Sequence, residues 1–276
     1  MILASGATGQ VGRALAALGA TVLDRSAMDL ADPAACAAAI RDRRPRAFVN
    51  AAAYTAVDRA EAEEGLATTV NADAPGAMAA ACADLGIPFV HISTDYVFDG
   101  SGDAPRSPED PTAPLGAYGR SKLAGERAVR AAGGVHAIVR TSWVFGAQGA
   151  NFVCTMLRLG AERDAVRVVD DQVGGPTPAP AVAEACLRVA RALNPGLAGT
   201  YHLAGAPDVS WAGFARAIFA EAGLRCRVEP IATTEYPKPA RRPLNSRLDC
   251  EGTRAAFGIE RPDWRAALRP VLEAAR

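Results

Sequence analysis

The sequence predicts an α/β fold, a doubly wound parallel sheet followed by a smaller C-terminal α/β domain. Three observations predict it. Short apolar runs alternate with Ala-rich helical stretches through the first half of the 276 residues. That order requires parallel pairing, right-handed crossovers and helices on both faces. The first apolar run ends in a glycine turn that opens a helix. The second half breaks the rhythm at Gly174-Gly175-Pro176-Thr177-Pro178 and in a Pro- and Arg-rich loop over 233–244.

In chain order, strands are expected at 1–5, 21–24, 47–50, 88–93 and 136–141. Helices are expected at 10–17, 33–42, 67–85 and 121–132. Asp32-Pro33 reads as an N-cap followed by Pro at the first helical position. Gly86 reads as a helix stop. Beyond the breaker cluster come a helix at 181–192, a strand at 199–204 and a helix at 210–222 with Ser210 as its cap. A strand at 225–231 and short helices at 252–257 and 263–275 finish the chain. The division expected is a dinucleotide-binding domain over 1–146 and a mainly substrate-binding domain over 147–276. Segments such as the strand at 199–204 are expected to return to the first sheet.

Composition narrows the function. Half the residues are hydrophobic and 6% aromatic, so the core is aliphatic and Ala-rich. The net charge is zero and the pI about 6.8, which argues against nucleic acid as the main partner. No apolar run is long enough to span a bilayer, and no basic leader precedes the first strand. Cys36, Cys82, Cys154, Cys186, Cys226 and Cys250 form no Cys-x-x-Cys pair. Free core thiols and a cytoplasmic location are expected.

Gly6-Ala-Thr-Gly9-Gln10-Val11-Gly12 sits between the first strand and the first helix. Gly6 permits the tight turn, Gly9 lets backbone approach a pyrophosphate, and Gly12 allows close packing. The helix N-terminus then offers unpaired N–H groups to the anion. This is a Rossmann-like turn with Gly-x-x-Gly-x-x-Gly spacing. Asp24, at the end of the second strand, is placed to bond an adenosine ribose 2′-hydroxyl, and Arg25 to face a 2′-phosphate. The pair leaves NADH and NADPH both open. Asp29-Leu30 is a candidate neighbour of the adenine, although Asp29 also fits a local turn. Ala53, Tyr54 and Thr55 follow the third strand, at the edge where open α/β sheets bind ligands.

Tyr118 and Lys122 are four residues apart and share a helix face. A cation ~4 Å from a phenol, at an effective dielectric of ~20, is worth ~4 kcal/mol. That corresponds to a phenol pKa lowered by about three units, before desolvation is counted. Such a tyrosine exchanges protons with an alcohol or ketone. Thr94 ends the fourth strand, where its hydroxyl could bond a substrate oxygen beside Tyr118 or serve as an ordinary helix or turn cap, and Asp95 could accept from a substrate hydroxyl. No group of His, Cys, Asp or Glu has metal spacing, and no Ser-His-Asp set or Gly-x-Ser-x-Gly elbow occurs.

With these residues in place the chain resembles the extended short-chain dehydrogenase/reductases, and more narrowly the dTDP-4-dehydrorhamnose reductase family. The narrow motifs are Ala56-Val-Asp58-Arg-Ala-Glu61, Asp171-Gln172-Val-Gly-Gly-Pro176-Thr177 and Arg242-Pro-Leu-Asn-Ser246-Arg-Leu248. The resemblance implies hydride transfer from NADPH or NADH to the C4 ketone of a dTDP-6-deoxy-hexulose. It makes Tyr118 the proton donor and gives Lys122 the nicotinamide ribose. Thr94 would polarise the C4 oxygen, while Asp95 and Trp143 position the sugar. Gly9, Gln10, Val11, Asp24, Asp29, Leu30, Ala53, Tyr54 and Thr55 carry over as cofactor contacts. Arg242, with Arg241 and Arg247, is a candidate for the substrate diphosphate, or else part of a solvated loop. Some relatives are dimers joined through Mg²⁺ held by glutamates. Here Arg13 and Ala14 follow Gly12, and Pro180 stands where a second carboxylate is expected. No metal site is therefore expected, and the chain is expected to be a monomer or weak homodimer. Two rival readings are a non-catalytic NADP-binding subunit, like the regulatory subunit of methionine adenosyltransferase, and an epimerase or dehydratase on a related sugar nucleotide. The complete Thr94/Tyr118/Lys122 set argues against the first. Net consumption of NAD(P)H separates the second.

Overall fold

The computed structural model describes residues 1–274. β1 (Ile2–Ser5) runs through the glycine turn into α1 (Gln10–Ala17), and β2 (Thr21–Leu23) and α2 (Pro33–Arg43) follow. Asp32 caps α2, accepting from the Ala35 amide at 2.9 Å, and Pro33 takes the first helical position. β3 (Ala47–Asn50) leads to two short helices, α3 (Val57–Ala60) and α4 (Glu64–Thr68). A π-helical turn at Thr69–Asp73 then joins α5 (Ala74–Asp84). The single helix expected at 67–85 is thus broken near its start. Pro75 has no N–H to give the Asn71 carbonyl in α register, so the ladder widens there.

β4 (Phe89–Thr94), α6 (Ala117–Ala131) and β5 (His136–Thr141) complete the first half. α6 begins four residues before the expected 121. Its N-cap is Gly116, with no side-chain bond of its own. The cap comes from elsewhere: Glu61 accepts from the Ala117 amide at 2.9 Å. A start signal supplied from 56 residues away cannot be seen in the local sequence.

The second half contributes β6 (Val144–Phe145), α7 (Phe152–Glu162), β7 (Ala165–Val169), β8 (Val173–Gly174), β9 (Thr177–Pro178) and α8 (Ala179–Ala192). β10 (Gly199–Leu203), β11 (Val209–Ser210), α9 (Trp211–Ala222) and β12 (Arg227–Ile231) follow. β13 (Asn245–Ser246), α10 (Glu251–Phe257) and α11 (Trp264–Ala274) end the chain. Ser210 caps α9 by accepting from the Gly213 amide at 3.0 Å. Ala275, the last residue of the expected terminal helix, lies outside the described residues. The sequence reading did not single out α7 or β7. A signal for α7 was present: Asn151 accepts from the Cys154 amide at 3.0 Å just before the helix.

The main sheet has six parallel strands in the order β10-β5-β4-β3-β1-β2. The order reverses between β1 and β3, and ligands of open α/β sheets bind at such a switch point. β10 joins this sheet from the second half. α1 and α8 fill one face around Val11, Leu15, Val182 and Leu187. α2, α5 and α6 fill the other around Ile40, Met78 and Val129. A further core under β7, α7, α9 and α11 is built on Val166, Met156, Phe214, Ile218 and Trp264. Among the described residues, no helix is long and apolar enough to cross a membrane.

Candidate active site

A cleft of about 720 Å³ opens at the carboxyl edge of the main sheet. Gly6 and residues 8–11 form one wall and Ala51, Ala52, Ala53 and Thr55 another, with Thr94, Asp95, Tyr118, Lys122 and Trp143 at one end. Gly6 has φ +91°, and a Cβ there would lie 2.9 Å from the Ala51 carbonyl. A Cβ on Gly12 would collide with the Gly6 carbonyl, so Gly12 serves the turn as well as the helix. No side chain caps α1, and its first turn carries no acidic residue. Its free N–H groups and positive dipole end therefore face the cleft, as a diphosphate requires. Gln10 ties this wall to the second half: its Nε2 donates to the Val144 carbonyl at 3.4 Å, and its Oε1 accepts from Asn151 at 3.0 Å.

The other cofactor candidates are placed less uniformly. Ala53 and Thr55 line the cleft, whereas the Tyr54 phenol turns to Glu63 at 2.6 Å. The Tyr54 backbone is held on both sides by Asn71, at 2.8 and 3.0 Å. Asp24 accepts from Ser26 at 2.6 Å and from the Ala27 amide at 3.0 Å. Arg25 pairs with Asp29 at 3.2 Å on the surface, and Leu30 is a core residue. None of these four lines the cleft.

The chemical end is crowded and largely buried. Thr94 donates to Asp95 Oδ1 at 3.0 Å and accepts from the Tyr96 amide at 3.2 Å. Among the described residues, Asp95 Oδ2 and Thr141 Oγ1 are buried without a hydrogen-bond partner. Both residues line the cleft, so both atoms fit the polar groups of a ligand. Burial pushes the Asp95 carboxyl up to about 6, with Ser246 and Thr94 opposing.

One expectation is overturned. The helix spacing predicted that Lys122 would draw the Tyr118 phenol down. Instead burial pushes the phenol up to about 12, with Thr94 opposing and the Asp95 charge adding to the rise. Lys122 points elsewhere: its Nζ donates to the Ile92 carbonyl at 2.7 Å and lies 3.3 Å from His91 Nε2. Burial brings Lys122 down to about 8, with Glu126 opposing. Sharing a helix face does not put the two head groups together when β4 captures one of them.

Arg242 also differs from expectation. It does not line the cleft. Its guanidinium pairs with Asp58 at 2.9 Å, and Asp58 also accepts from the Ala240 amide at 3.2 Å. Two of the narrow sequence motifs therefore touch: Asp58 of α3 holds the 240–242 loop, while Glu61 beside it caps α6.

Trp143 has φ +50°, a left-handed conformation that costs a bulky residue energy. Its indole stacks on Trp211 at 3.6 Å and 12°. Trp211 lines the cleft too, and the sequence reading used it only as the start of a helix. Among the described residues, no group of three or more His, Cys, Asp or Glu side chains is arranged to hold a metal.

A parallel sheet with a glycine turn at its switch point, and a Tyr/Lys helix facing a Thr at the next strand end, defines a Rossmann-type oxidoreductase. The chain belongs to the RmlD substrate binding domain family, whose model matches residues 1–276. It is 47% identical to a dTDP-4-dehydrorhamnose reductase of Burkholderia thailandensis, over 97% of this chain and 96% of that protein. The crystal structure of a dTDP-4-dehydrorhamnose reductase from Bacillus anthracis in complex with NADP superposes with a TM-score of 0.93 at 34% identity, covering 99% of this chain and 98% of that one. A Clostridium acetobutylicum dTDP-4-dehydrorhamnose reductase superposes with a TM-score of 0.92 at 37% identity, with the same coverage.

Proposed function

We propose that the protein reduces the C4 ketone of dTDP-4-dehydro-L-rhamnose to give dTDP-L-rhamnose, using NADPH or NADH. The observation that carries this reading is the convergence of Thr94, Tyr118 and Lys122 on a cleft floored by a glycine turn. The near full-length identity to reductases of that name supports it. The nicotinamide cofactor supplies the hydride when bound. Gly6, Gly9, Gly12 and the amides of α1 hold its diphosphate, with Gln10, Val11, Ala53, Tyr54 and Thr55 beside it. Asp24, Arg25, Asp29 and Leu30 would form its adenosine end.

Thr94 Oγ1 donates to the ketone oxygen and polarises it. Tyr118 Oη gives that oxygen its proton as charge develops there. A phenol held near 12 is fully protonated at neutral pH, which is the state a reduction needs. Lys122 holds the ribose and steadies the phenolate left behind. Asp95 Oδ2 accepts from a sugar hydroxyl, and the Trp143–Trp211 stack walls the sugar site. Arg242 reaches the substrate diphosphate by exchanging Asp58 for it. Residues 1–146 serve mainly the cofactor and 147–276 mainly the sugar nucleotide. We assign the protein to the cytoplasm, a reading supported by its six free thiols, and take it to act as a monomer or weak homodimer.

The test is an assay of purified protein with enzymatically made dTDP-4-dehydro-L-rhamnose, running NADPH and NADH in parallel. Loss of nicotinamide absorbance matched by dTDP-L-rhamnose is expected. Product without net cofactor consumption would favour the epimerase reading. Cofactor binding without turnover would favour a regulatory subunit.

A further inference from the structure

Behind the cleft lies a buried polar chain that leads to Lys122 and whose first three members the chemistry above does not use. It runs Ser5, Asn50, His91, Lys122 across the ends of β1, β3 and β4 to α6. The four residues are 0%, 1%, 0% and 2% exposed. The Ala52 amide can only donate, and it meets Asn50 Oδ1 at 3.2 Å. The same amide also reaches Ser5 Oγ at 3.3 Å, but an Asn50 nitrogen here would confront it, so the position is assigned to the side-chain oxygen, which accepts from Ser5 Oγ at 2.7 Å. Asn50 Nδ2 therefore faces His91 Nδ1, at 3.1 Å, and donates to it. An imidazole that accepts at Nδ1 carries its single proton on Nε2. Burial holds His91 well below its usual range, and the Lys122 charge adds to this whenever the amine is protonated, so the ring is neutral in either state of Lys122.

The Nε2–H then points at Lys122 Nζ, 3.3 Å away. A neutral amine has a lone pair to accept that proton, and it still donates to the Ile92 carbonyl at 2.7 Å. An ammonium has no lone pair, so it confronts a donor. The contact is satisfied in one charge state of Lys122 only. The other charged or titratable groups around it are Glu126, one turn along α6, and Tyr118, one turn back. Asp95 follows β4, and among the described residues no carboxylate bonds His91. Glu126 is taken up by Arg140 at 2.8 and 2.7 Å and by Ser93 at 2.7 Å. The Phe89 ring stacks at 6.2 Å from His91 and offers no polar group.

We propose that His91 is a positioning residue, which parks Lys122 against the strand ends as an uncharged amine and releases it to the cleft when the amine gains a proton. The Ser5–Asn50 pair sets this behaviour by fixing the His91 tautomer. Lys122 thus reaches a ligand in its charged form, and only then. The assignment rests on Lys122 serving the ligand, but its primary test needs no ligand and no turnover.

The chain has three histidines, so selective ¹⁵N-histidine labelling gives few signals, and His91→Gln assigns one set. Across pH of about 6 to 10, His91 is expected to show the Nε2–H tautomer at the upper end, without ring protonation. Its signals should shift with a midpoint near 8, following Lys122. The shift should vanish in Lys122→Met. Asn50→Asp presents an acceptor to Nδ1 and should convert the ring to the Nδ1–H form. An Nδ1–H tautomer at high pH in the unaltered protein, or no response across the Lys122 titration, overturns the proposal. Reductase activity would stand in either case, so the two readings fail separately. In kinetics, His91→Leu should move the alkaline limb of kcat to higher pH, because the uncharged amine loses its donor. It should also lower kcat roughly 10- to 100-fold, with part of the loss restored in His91→Gln. Equal loss in both variants with an unmoved limb would mean a packing role only.

Discussion

Tyr118 and Asp95 face the same cleft, and burial pushes both toward their protonated forms. For Tyr118 this suits a proton donor. Tyr118→Phe should lower kcat by roughly 10²- to 10⁴-fold while NADPH affinity, read by fluorescence, stays close to that of the parent. Unchanged turnover would remove Tyr118 from the chemistry. For Asp95 the same burial costs stability. Its folded pKa of about 6 lies above the ordinary aspartate value of 3.8, so the folded state binds more protons between those values. Stability therefore falls as pH rises from about 4 to about 6, and the cost is fully present above that window. Asp95→Asn should relieve it, raising unfolding free energy at neutral pH by up to about 3 kcal/mol. The gain should shrink as pH falls from about 6 to about 4 and be small below that. Urea titrations at the two pH values check this, and a gain that grows on acidification would reverse the sign. The same variant should bind the sugar nucleotide less well, since Oδ2 no longer accepts.

At the scale of elements, α6 is the piece that carries the chemistry, and its start is set by Glu61 from α3. Glu61→Ala should cost about 1 kcal/mol, as losing a helix cap does. It should also lower kcat more than NADPH affinity, because Tyr118 sits in the first turn of α6. Glu61→Gln keeps an acceptor and should restore most of both. Equal effects of the two substitutions on stability and kcat would rule out the cap. The sequence made the main-sheet strands legible because each carries its own apolar run and its own stop. β3 and β5 fall at the expected residues, and the others within one. The start of α6 and the Arg242–Asp58 pair were not legible, because their causes lie far away in sequence. Glu61 is 56 residues from the amide it caps, and Asp58 is 184 from Arg242. The direction of Lys122 was misread for the same reason. Helix periodicity gives the face a side chain leaves from, and β4 decides where its end goes. Trp211 carried a local signal, an aromatic directly after a helix cap, that could have been weighed as a site residue.

Across the whole molecule, the second half of the chain is woven into the first. β10 extends the main sheet, α8 covers one of its faces, and Gln10 bonds both Val144 and Asn151. The cleft is therefore walled from both halves, with the glycine turn at one end and the Trp143–Trp211 stack at the other. That arrangement suits a cofactor and a sugar nucleotide meeting at Tyr118. It also makes the central claim one about a particular bond: the hydride ends on C4 of the sugar. NADPH carrying deuterium at the transferring position of the nicotinamide, followed by mass spectrometry and proton NMR of the product, reads that bond directly. The account predicts dTDP-L-rhamnose with one deuterium at C4 for each NADPH consumed. Product lacking deuterium at C4, or deuterium at any other carbon, would contradict it.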